Sequence, residues 1–197
     1  MKEKEVRYLA KDFEVRAQED GSKSVVGYVV KFNMRSQLIW GEFYERVAKG
    51  AFAKSLEENT IKALWNHRSD YVLGSTKNGT LRLEEDDIGL RFELEMPNNS
   101  WGNDAFESIS RGDTDGVSFG FLVRNDNWEY LKDEDVYERT LLDIDLREIS
   151  PTPFPAYPDS EVGKRSIEGL PDTKEDRQKL KDKKMVKRKL LLELELH

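Results

Sequence analysis

Short β-rich runs follow one another closely between Lys4 and Ile149, and this spacing limits the possible folds more than any other feature. The first two runs, Lys4–Arg16 and Ser24–Phe32, flank the turn-forming residues Gln18–Ser22. Six further strand-like runs follow: Ile61–Trp65, Val72–Thr76, Thr80–Glu84, Gly89–Glu95, Gly116–Arg124 and Val136–Ile149. The arrangement predicts an α+β, mainly β fold, either a mostly antiparallel barrel or a sandwich.

Turn and helix signals lie between these runs. Asn78–Gly79 is the strongest hairpin signal, because a type I′ turn needs φ > 0 at both central positions. Ala48–Glu58 has apolar residues spaced i, i+4, which favours a short amphipathic helix. Asp104–Ser110 is the second predicted helix, and Gly112 suits its C-terminal cap. Helices are therefore expected to be few and short.

A change in composition near Gly163 predicts a boundary. Four prolines between Pro151 and Pro158 indicate an extended exit from the domain, because each removes a backbone donor. Eleven Lys or Arg and seven Asp or Glu follow from Lys164 onward, so this stretch is basic while the whole chain carries −7. We expect a folded domain over residues 1–162 and a polar, basic tail over residues 163–197 that is disordered or prone to form a helix.

Composition excludes several classes of function. The chain has no cysteine, which rules out disulfides, thiolate metal sites and a cysteine nucleophile. It has no zinc-ligand spacing, EF-hand loop or glycine-rich phosphate loop, so neither a metal nor a cofactor is expected. The acidic net charge argues against nucleic-acid binding. No apolar run reaches the ~20 residues of a membrane span, and the N-terminus is charged, so we expect no membrane partner and a location in the cytoplasm.

Two residues stand out as candidates for nucleophilic catalysis. His67 follows a short apolar strand, and its imidazole suits proton transfer at neutral pH. Ser118 has Gly116 and Gly120 on its own strand face, which leaves space for another backbone to approach the hydroxyl. Local sequence alone favours the structural interpretations, a histidine with a satisfied hydrogen bond and a strip of small residues under a covering helix.

A serine–histidine pair needs a third group that orients the imidazole. Asp143, Asp145 and Glu148 are the candidates, all in one strand-like run. Strict alternation would place Glu148 on the inward face with Leu142, Ile144 and Leu146, where a buried carboxylate needs a partner such as an imidazole. Asp143 and Asp145 would then be solvated charges. Glu148 is therefore preferred, with the two aspartates as alternatives.

An ordered set of motifs resembles the prohead maturation proteases of tailed bacteriophages. The matching segments are Phe43–Val47, Lys49–Phe52, Ser55–Leu56, Leu64–His67, Val72–Thr76, Leu81, Asp87–Leu90, Gly116–Phe121, Arg147–Ser150 and Pro155–Pro158. Together they cover about residues 5–162. The order of the segments carries the resemblance, since each one alone is weak.

The resemblance implies a fold similar to herpesvirus assemblins, a closed, mostly antiparallel barrel surrounded by a few helices. It implies a serine endopeptidase with Ser118 as nucleophile and His67 as base, and an acid placed similarly to Glu148. The paired arginines that assemblins use for the oxyanion have no counterpart after Glu148, where the chain is proline-rich, and Arg147 precedes Glu148.

The same resemblance implies partners and a location. The substrates would be scaffold or major capsid protein segments and the chain itself, cut near Ala156–Gly163, inside the assembling prohead in the host cytoplasm. The basic tail would be a removable, scaffold-like segment, and a homodimer or higher oligomer is possible by analogy. The alternatives are a catalytically silent, protease-like capsid assembly protein and an unrelated β-barrel binding module.

Overall fold

A long hairpin of two strands, β9 (Gly116–Leu131) and β10 (Val136–Thr152), runs through the centre of the computed structural model, which describes residues 4–10, 13–18, 21–39 and 41–153. The strands pair antiparallel along their whole length, from Val136 opposite Leu131 to Thr152 opposite Gly116. Asp135 closes the turn in the left-handed region at φ 57°, which Asp tolerates better than most residues. Both strands extend beyond the runs expected from sequence.

The hairpin organises a six-stranded sheet. Strand β1 (Glu5–Ala10) pairs antiparallel with the outer edge of β9. The other edge of β10 is shared by two short parallel strands: β4 (Phe43–Val47) lies along its first half and β5 (Lys62–Trp65) along its second half. Strand β6 (Arg68–Ser75) then pairs antiparallel with β5 and ends the sheet.

A second sheet has four antiparallel strands. Their order is β2 (Phe13–Ala17), β3 (Lys23–Lys31), β8 (Gly89–Glu95) and β7 (Leu81–Glu85). Both sheets contribute to one hydrophobic core, since Phe92 and Leu94 of β8 belong to the same buried cluster as Phe119 and Phe121 of β9. Burial of these large side chains is the main source of stability.

The expected mainly β fold is observed, but the closed barrel is wrong. In the described part of the chain, β1 and β6 remain the edges of the larger sheet, and β2 and β7 those of the smaller one. A barrel requires a complete ring of paired strands. Here the chain leaves β6 through a 3₁₀ turn at Thr76–Asn78 and enters the second sheet at β7, so the ring does not close.

Two α-helices accompany the sheets in the described part of the chain. Helix α1 (Ala53–Glu58) is shorter than the predicted segment, because the chain from Ala48 to Phe52 forms turns. Helix α2 (Ser100–Ser110) begins at the cap residue Asn99, whose side chain accepts a hydrogen bond from the Gly102 N–H. Gly112 follows it at φ 79°, as expected for a helix C-terminus. Neither helix is long and apolar enough to cross a membrane.

The hairpin predicted at Asn78–Gly79 is wrong, and the corresponding turn lies elsewhere. Gly79 has φ 72°, but Asn78 ends the 3₁₀ turn and does not have a positive φ, and the flanking strands belong to different sheets. Two consecutive left-handed residues occur instead at Asn66 (φ 52°) and His67 (φ 60°), between β5 and β6. The predicted tail over residues 163–197 and the expected cleavage region near Ala156–Gly163 lie outside the described residues.

Candidate active site

Ser118 lies on β9 with the face composition that the sequence predicts. Val117, Phe119 and Phe121 are at most 2% exposed and belong to the hydrophobic core. Gly116, Ser118 and Gly120 therefore share the opposite face. On that face, Ser118 lies directly opposite Ser150 of β10, and Gly120 lies opposite Glu148.

The Ser118 hydroxyl is completely buried. On its outer side, β1 pairs with β9 so that Tyr8 is opposite Ser118. The Ser118 Oγ donates a hydrogen bond of 2.8 Å to the carbonyl oxygen of Arg7. Ser118 has 0% exposure. At this edge of the sheet, β1 lies between the hydroxyl and solvent.

The turn between β5 and β6 positions His67. The Asn66 N–H donates to the Pro151 carbonyl at 3.1 Å, and the Thr152 hydroxyl donates to Asn66 Oδ1 at 2.8 Å. The His67 N–H donates to Ser150 Oγ at 3.2 Å. These three bonds fix the turn against the last residues of β10. The left-handed conformation that Asn adopts readily is thus what brings the histidine to the Ser118 face.

The imidazole of His67 is bound to Glu148. Its Nδ1 lies 2.8 Å from Glu148 Oε1, so Nδ1 carries the proton when the carboxylate is ionised. In the neutral ring Nε2 is then the acceptor. Nε2 is buried and has no hydrogen-bond partner in the described part of the chain, which is unusual for a buried polar atom. This nitrogen is therefore available to accept a proton.

Glu148 is buried and surrounded by hydrogen-bond donors, but it lies on a different face of β10 from the one expected. A bulge between Leu146 and Glu148 leaves Arg147 as an extra residue, so Leu146 pairs with Phe121 while Glu148 pairs with Gly120. Glu148 consequently lies on the Ser118 face and not with Ile144 and Leu146 in the core. The expectation of a shared inward face was wrong because it assumed strict alternation through the bulge.

Three side chains donate to the Glu148 carboxylate. Oε1 accepts from His67 Nδ1 and from Lys4 Nζ, each at 2.8 Å, and Oε2 accepts from Ser150 Oγ at 2.7 Å. Burial alone would raise the pKa of Glu148, but the bonds from His67, Lys4 and Ser150 outweigh it and hold the pKa below its usual range. Glu148 is therefore an anion at neutral pH.

The alternative acids lie elsewhere. Asp143 forms an ion pair of 2.8 Å with Lys54. Asp145 is buried, contrary to the expected solvated position, because Asn59 and Arg147 donate to it at 2.6 Å and 2.5 Å. Neither aspartate has a described hydrogen bond to His67. Arg147, the arginine that precedes Glu148 in sequence, thus forms a hydrogen bond to Asp145.

Comparisons with known proteins identify the family of the chain and a similar fold. A family model described as caudovirus prohead serine protease matches residues 11–173. The chain belongs to the caudovirus prohead serine protease family. The matched range contains His67, Ser118 and Glu148 and begins after β1 ends at Ala10. Membership in this family contradicts the alternative of an unrelated binding module.

The fold has a solved counterpart in the same kind of virus. The capsid assembly protease gp21 of bacteriophage T4 is similar, with a TM-score of 0.53 and 9% sequence identity over 75% of this chain and 96% of that chain. At this identity the likeness concerns the fold. No curated protein matches the sequence. The likeness in fold thus occurs at very low sequence identity.

Sequence reasoning missed several residues of the site in this prohead protease family member. Ser150 bridges Glu148 and the His67 backbone, and its i, i+2 spacing from Glu148 could have revealed it. Lys4 has no local signal, because it reaches Glu148 from 144 residues away in sequence. No hydrogen bond joins the side chains of Ser118 and His67 in the described part of the chain. Ser150 lies opposite Ser118 in the ladder and accepts from the His67 N–H.

A buried cluster of charges lies on the other face of β1. Arg7 donates to Glu45 of β4 through Nε at 2.5 Å and a terminal nitrogen at 3.0 Å. Arg139 of β10 donates to Glu5 at 2.8 Å and 3.1 Å and to Asp126 at 2.7 Å. Arg139 also donates to Glu45 at 3.1 Å. Burial lowers the pKa of Arg139, but Glu45, Glu5 and Asp126 together raise it by more than burial lowers it, so the guanidinium stays charged.

Proposed function

We propose that this chain is a serine endopeptidase of phage capsid maturation, with Ser118 as nucleophile, His67 as general base and Glu148 as the residue that orients the imidazole. The observation that carries the proposal is the 2.8 Å contact between His67 Nδ1 and an ionised Glu148, with Nε2 left unpartnered. Membership in the prohead protease family supports the same assignment. A serine, a histidine and a buried carboxylate on one face form the set that acyl transfer needs.

The reaction proceeds through an acyl-enzyme. His67 Nε2 takes the proton of Ser118 Oγ while Oγ forms a bond to the carbonyl carbon of the substrate. The tetrahedral intermediate collapses, the C–N bond breaks, and the leaving amine takes the proton from Nε2. Water then attacks the ester with His67 again as base, which releases the acid and restores Ser118. Glu148 stabilises the imidazolium throughout, because its negative charge lies against Nδ1.

One movement precedes this chemistry. The Ser118 hydroxyl donates to the Arg7 carbonyl, and it must leave that acceptor before it can donate to His67 Nε2. A serine side chain changes its hydrogen-bond partner by rotating between staggered positions. Catalytic hydrogen bonds are commonly long or absent before substrate binds.

The substrates follow from the family. We propose that the enzyme cuts scaffold segments, the major capsid protein and its own chain near Ala156–Gly163, inside the assembling prohead. The basic tail after residue 162 would bring the enzyme into that compartment, where a high local concentration favours cleavage. Association with a second copy of the chain remains a prediction.

Coexpression with the capsid protein of the same phage tests the proposal. Wild type, Ser118→Ala and His67→Ala are compared, with Ser110→Ala at the exposed end of α2 as a matched serine control. Wild type and Ser110→Ala should process the capsid protein, and the two active-site variants should leave it at full length. Processing by Ser118→Ala at the wild-type rate would refute the assignment.

A catalytically silent assembly protein is the second candidate. The observation that favours it is the complete burial of Ser118 and the absence of a described hydrogen bond to His67. If the protein is catalytically silent, wild type and the three variants should assemble shells of uncut capsid protein equally well. Unprocessed capsid protein in particles made with wild type would support the silent alternative.

A further inference from the structure

Strand β1 lies where an extended peptide would bind to β9. It forms the outer edge of the six-stranded sheet and pairs antiparallel with Gly116–Phe121, with Tyr8 opposite Ser118. Without β1 the edge of β9 would offer free N–H and C=O groups next to the serine. Such an edge binds extended chains by strand addition, in which the backbone gives affinity and side chains give specificity.

The contacts of β1 are those that a substrate would have to make. The carbonyl oxygen at 2.8 Å from Ser118 Oγ belongs to Arg7, so a main-chain carbonyl already lies at the hydroxyl. Lys4, just before β1, donates to the same Glu148 oxygen that accepts from His67. The segment therefore covers the serine and also neutralises part of the negative charge that would stabilise the imidazolium.

The family comparison treats β1 differently from the rest of the fold. The family match begins at residue 11, directly after β1 ends at Ala10. The remaining strand partners of β9 and β10 lie within the matched range. β1 thus lies outside the matched range, whereas β9 and β10, which carry Ser118 and Glu148, lie within it.

Two charged side chains of β1 are recognised by buried partners. Arg7 makes two bonds to Glu45, and its guanidinium also lies 5.7 Å from the ring centre of Phe121. Glu5 accepts two bonds from Arg139. Glu45 and Arg139 are 4% and 2% exposed and are also bonded to each other at 3.1 Å, so they form a buried pair of opposite charges against the side chains of Glu5 and Arg7. Buried charges of this kind discriminate strongly between matched and unmatched partners.

We propose that β1 is an internal substrate mimic that occupies the position of the substrate strand on β9. In the strand that replaces β1, Glu45 selects a basic side chain and Arg139 selects an acidic side chain two residues before it. The inference rests on the proposed function, since it takes Ser118 as the nucleophile. The substrate is then an extended peptide with an acidic residue, any residue and a basic residue in that order. The main-chain carbonyl of the basic residue lies at Ser118.

A reversible lock tests the first half of the proposal. Ala10 and Gly116 are directly opposed, and the chain has no cysteine, so Ala10→Cys with Gly116→Cys can form one disulfide between β1 and β9. The purified full chain is treated with a fluorophosphonate, which labels an activated serine. The reduced double variant should be labelled at least about tenfold faster than its oxidised form, because only the reduced form can release β1. The single-cysteine variants should be insensitive to oxidant.

The outcomes separate the two proposals. Equal labelling of the oxidised and reduced forms, with no labelling of Ser118→Ala, would overturn the substrate-mimic proposal and leave the nucleophile assignment intact. Labelling of Ser118→Ala at the wild-type rate would overturn the proposed function itself. If neither wild type nor the reduced double variant is labelled, both proposals are overturned.

Matched peptides test the charge selection. The hexapeptide with the sequence of Glu5–Ala10 is compared with the same peptide carrying Gln in place of Arg7 as protectors of Ser118 against the fluorophosphonate. The arginine peptide should protect at about tenfold lower concentration, and Glu45→Gln should remove most of that difference. Equal protection by the two peptides in the wild-type protein would overturn the selection by Glu45.

Discussion

His67 and Glu148 are 81 residues apart in sequence, yet Nδ1 of the histidine lies 2.8 Å from Oε1 of the glutamate. Each is placed by a separate local irregularity. A left-handed turn presents His67, and a bulge at Arg147 presents Glu148. Both irregularities lie on strands anchored to the same hairpin, so the pair forms only when β5 docks on β10 in its observed register.

Glu148→Gln should lower the rate of substrate cleavage by about 10²- to 10⁴-fold, with little change in KM. The amide keeps the size of the side chain but removes the charge that stabilises the imidazolium and fixes its tautomer. Cleavage kinetics on a capsid-protein peptide would measure this. Asp143→Asn, which breaks only the ion pair with Lys54, is the control and should leave kcat unchanged. An equal loss in both variants would contradict the role of Glu148.

Ser150→Ala should lower kcat by about tenfold and shift the acidic limb of the pH–rate profile upward. The variant removes a hydrogen bond that lowers the pKa of Glu148 and the acceptor of the His67 N–H. A positioning role therefore predicts a change in the pH profile, whereas a purely structural role changes only the amount of folded protein. Ser150→Thr, which retains the hydroxyl, should recover the profile; an unchanged profile in Ser150→Ala would refute this role.

The stability conferred by Glu148 should depend on pH in a defined direction. Its pKa is lower in the folded protein than in the unfolded chain, so its ionised form stabilises the fold above the unfolded value, about 4.3. This contribution is fully present at neutral pH and is lost as the pH falls through the folded value. Urea unfolding of wild type and Glu148→Gln should show a difference in the free energy of unfolding that shrinks from pH 7 towards pH 3. A difference that grows on acidification would reverse the sign of this argument.

Asn66→Ala should destabilise the protein by about 1–2 kcal/mol, because alanine disfavours the left-handed conformation that Asn66 adopts at φ 52°. It also loses the acceptor of the Thr152 hydroxyl. Asn66→Gly keeps the backbone conformation at no steric cost and should be less destabilised. Thermal unfolding measures both variants, and a glycine variant less stable than the alanine variant would count against the turn assignment.

Gly120→Ala should impair catalysis by displacing Glu148. A Cβ on Gly120 would lie 2.5 Å from Glu148 Oε1 and 2.7 Å from Lys4 Nζ. Lys4 is a flexible side chain and can move away, but Glu148 is held by His67 and Ser150. Cleavage assays should therefore show that Lys4→Ala does not rescue Gly120→Ala. Full rescue by Lys4→Ala would show that the lysine contact alone causes the defect.

The sequence predicts the Ser118 strand well, because alternation is regular from Gly116 to Phe121 and the core face is strongly apolar. It predicts the identity of the acid but not its face, since nothing in the run Leu146–Glu148 marks Arg147 as an extra residue. The sequence does not predict the turn at Asn66–His67, because Asn78–Gly79 contains a glycine and is the stronger local signal for a tight turn with positive φ.

The sequence predicts a β-rich run over Lys4–Arg16 but not the pairing of β1 with β9. This pairing joins Tyr8 to Ser118 across the whole domain, and local patterns do not specify which edge a strand will join. The same holds for the cluster of Glu5, Arg7, Glu45 and Arg139, whose members look like ordinary surface charges in the sequence. The prediction of a closed barrel was wrong for a related reason, because the strand that pairs with β6 is decided by long-range pairing.

The bulge at Arg147 means that strand length, and not residue type alone, decides which charge meets the histidine. If the same residues were present but the strand had no bulge, the ladder would continue regularly from Leu146 opposite Phe121, so Arg147 would lie opposite Gly120 and Glu148 would lie opposite Phe119 in the core. The imidazole would then face a cation, and the carboxylate would lie among apolar side chains. Straightening this strand would thus reverse the polarity of the site without altering any of its candidate catalytic residues, whereas deletion of Arg147 would leave Glu148 opposite Gly120.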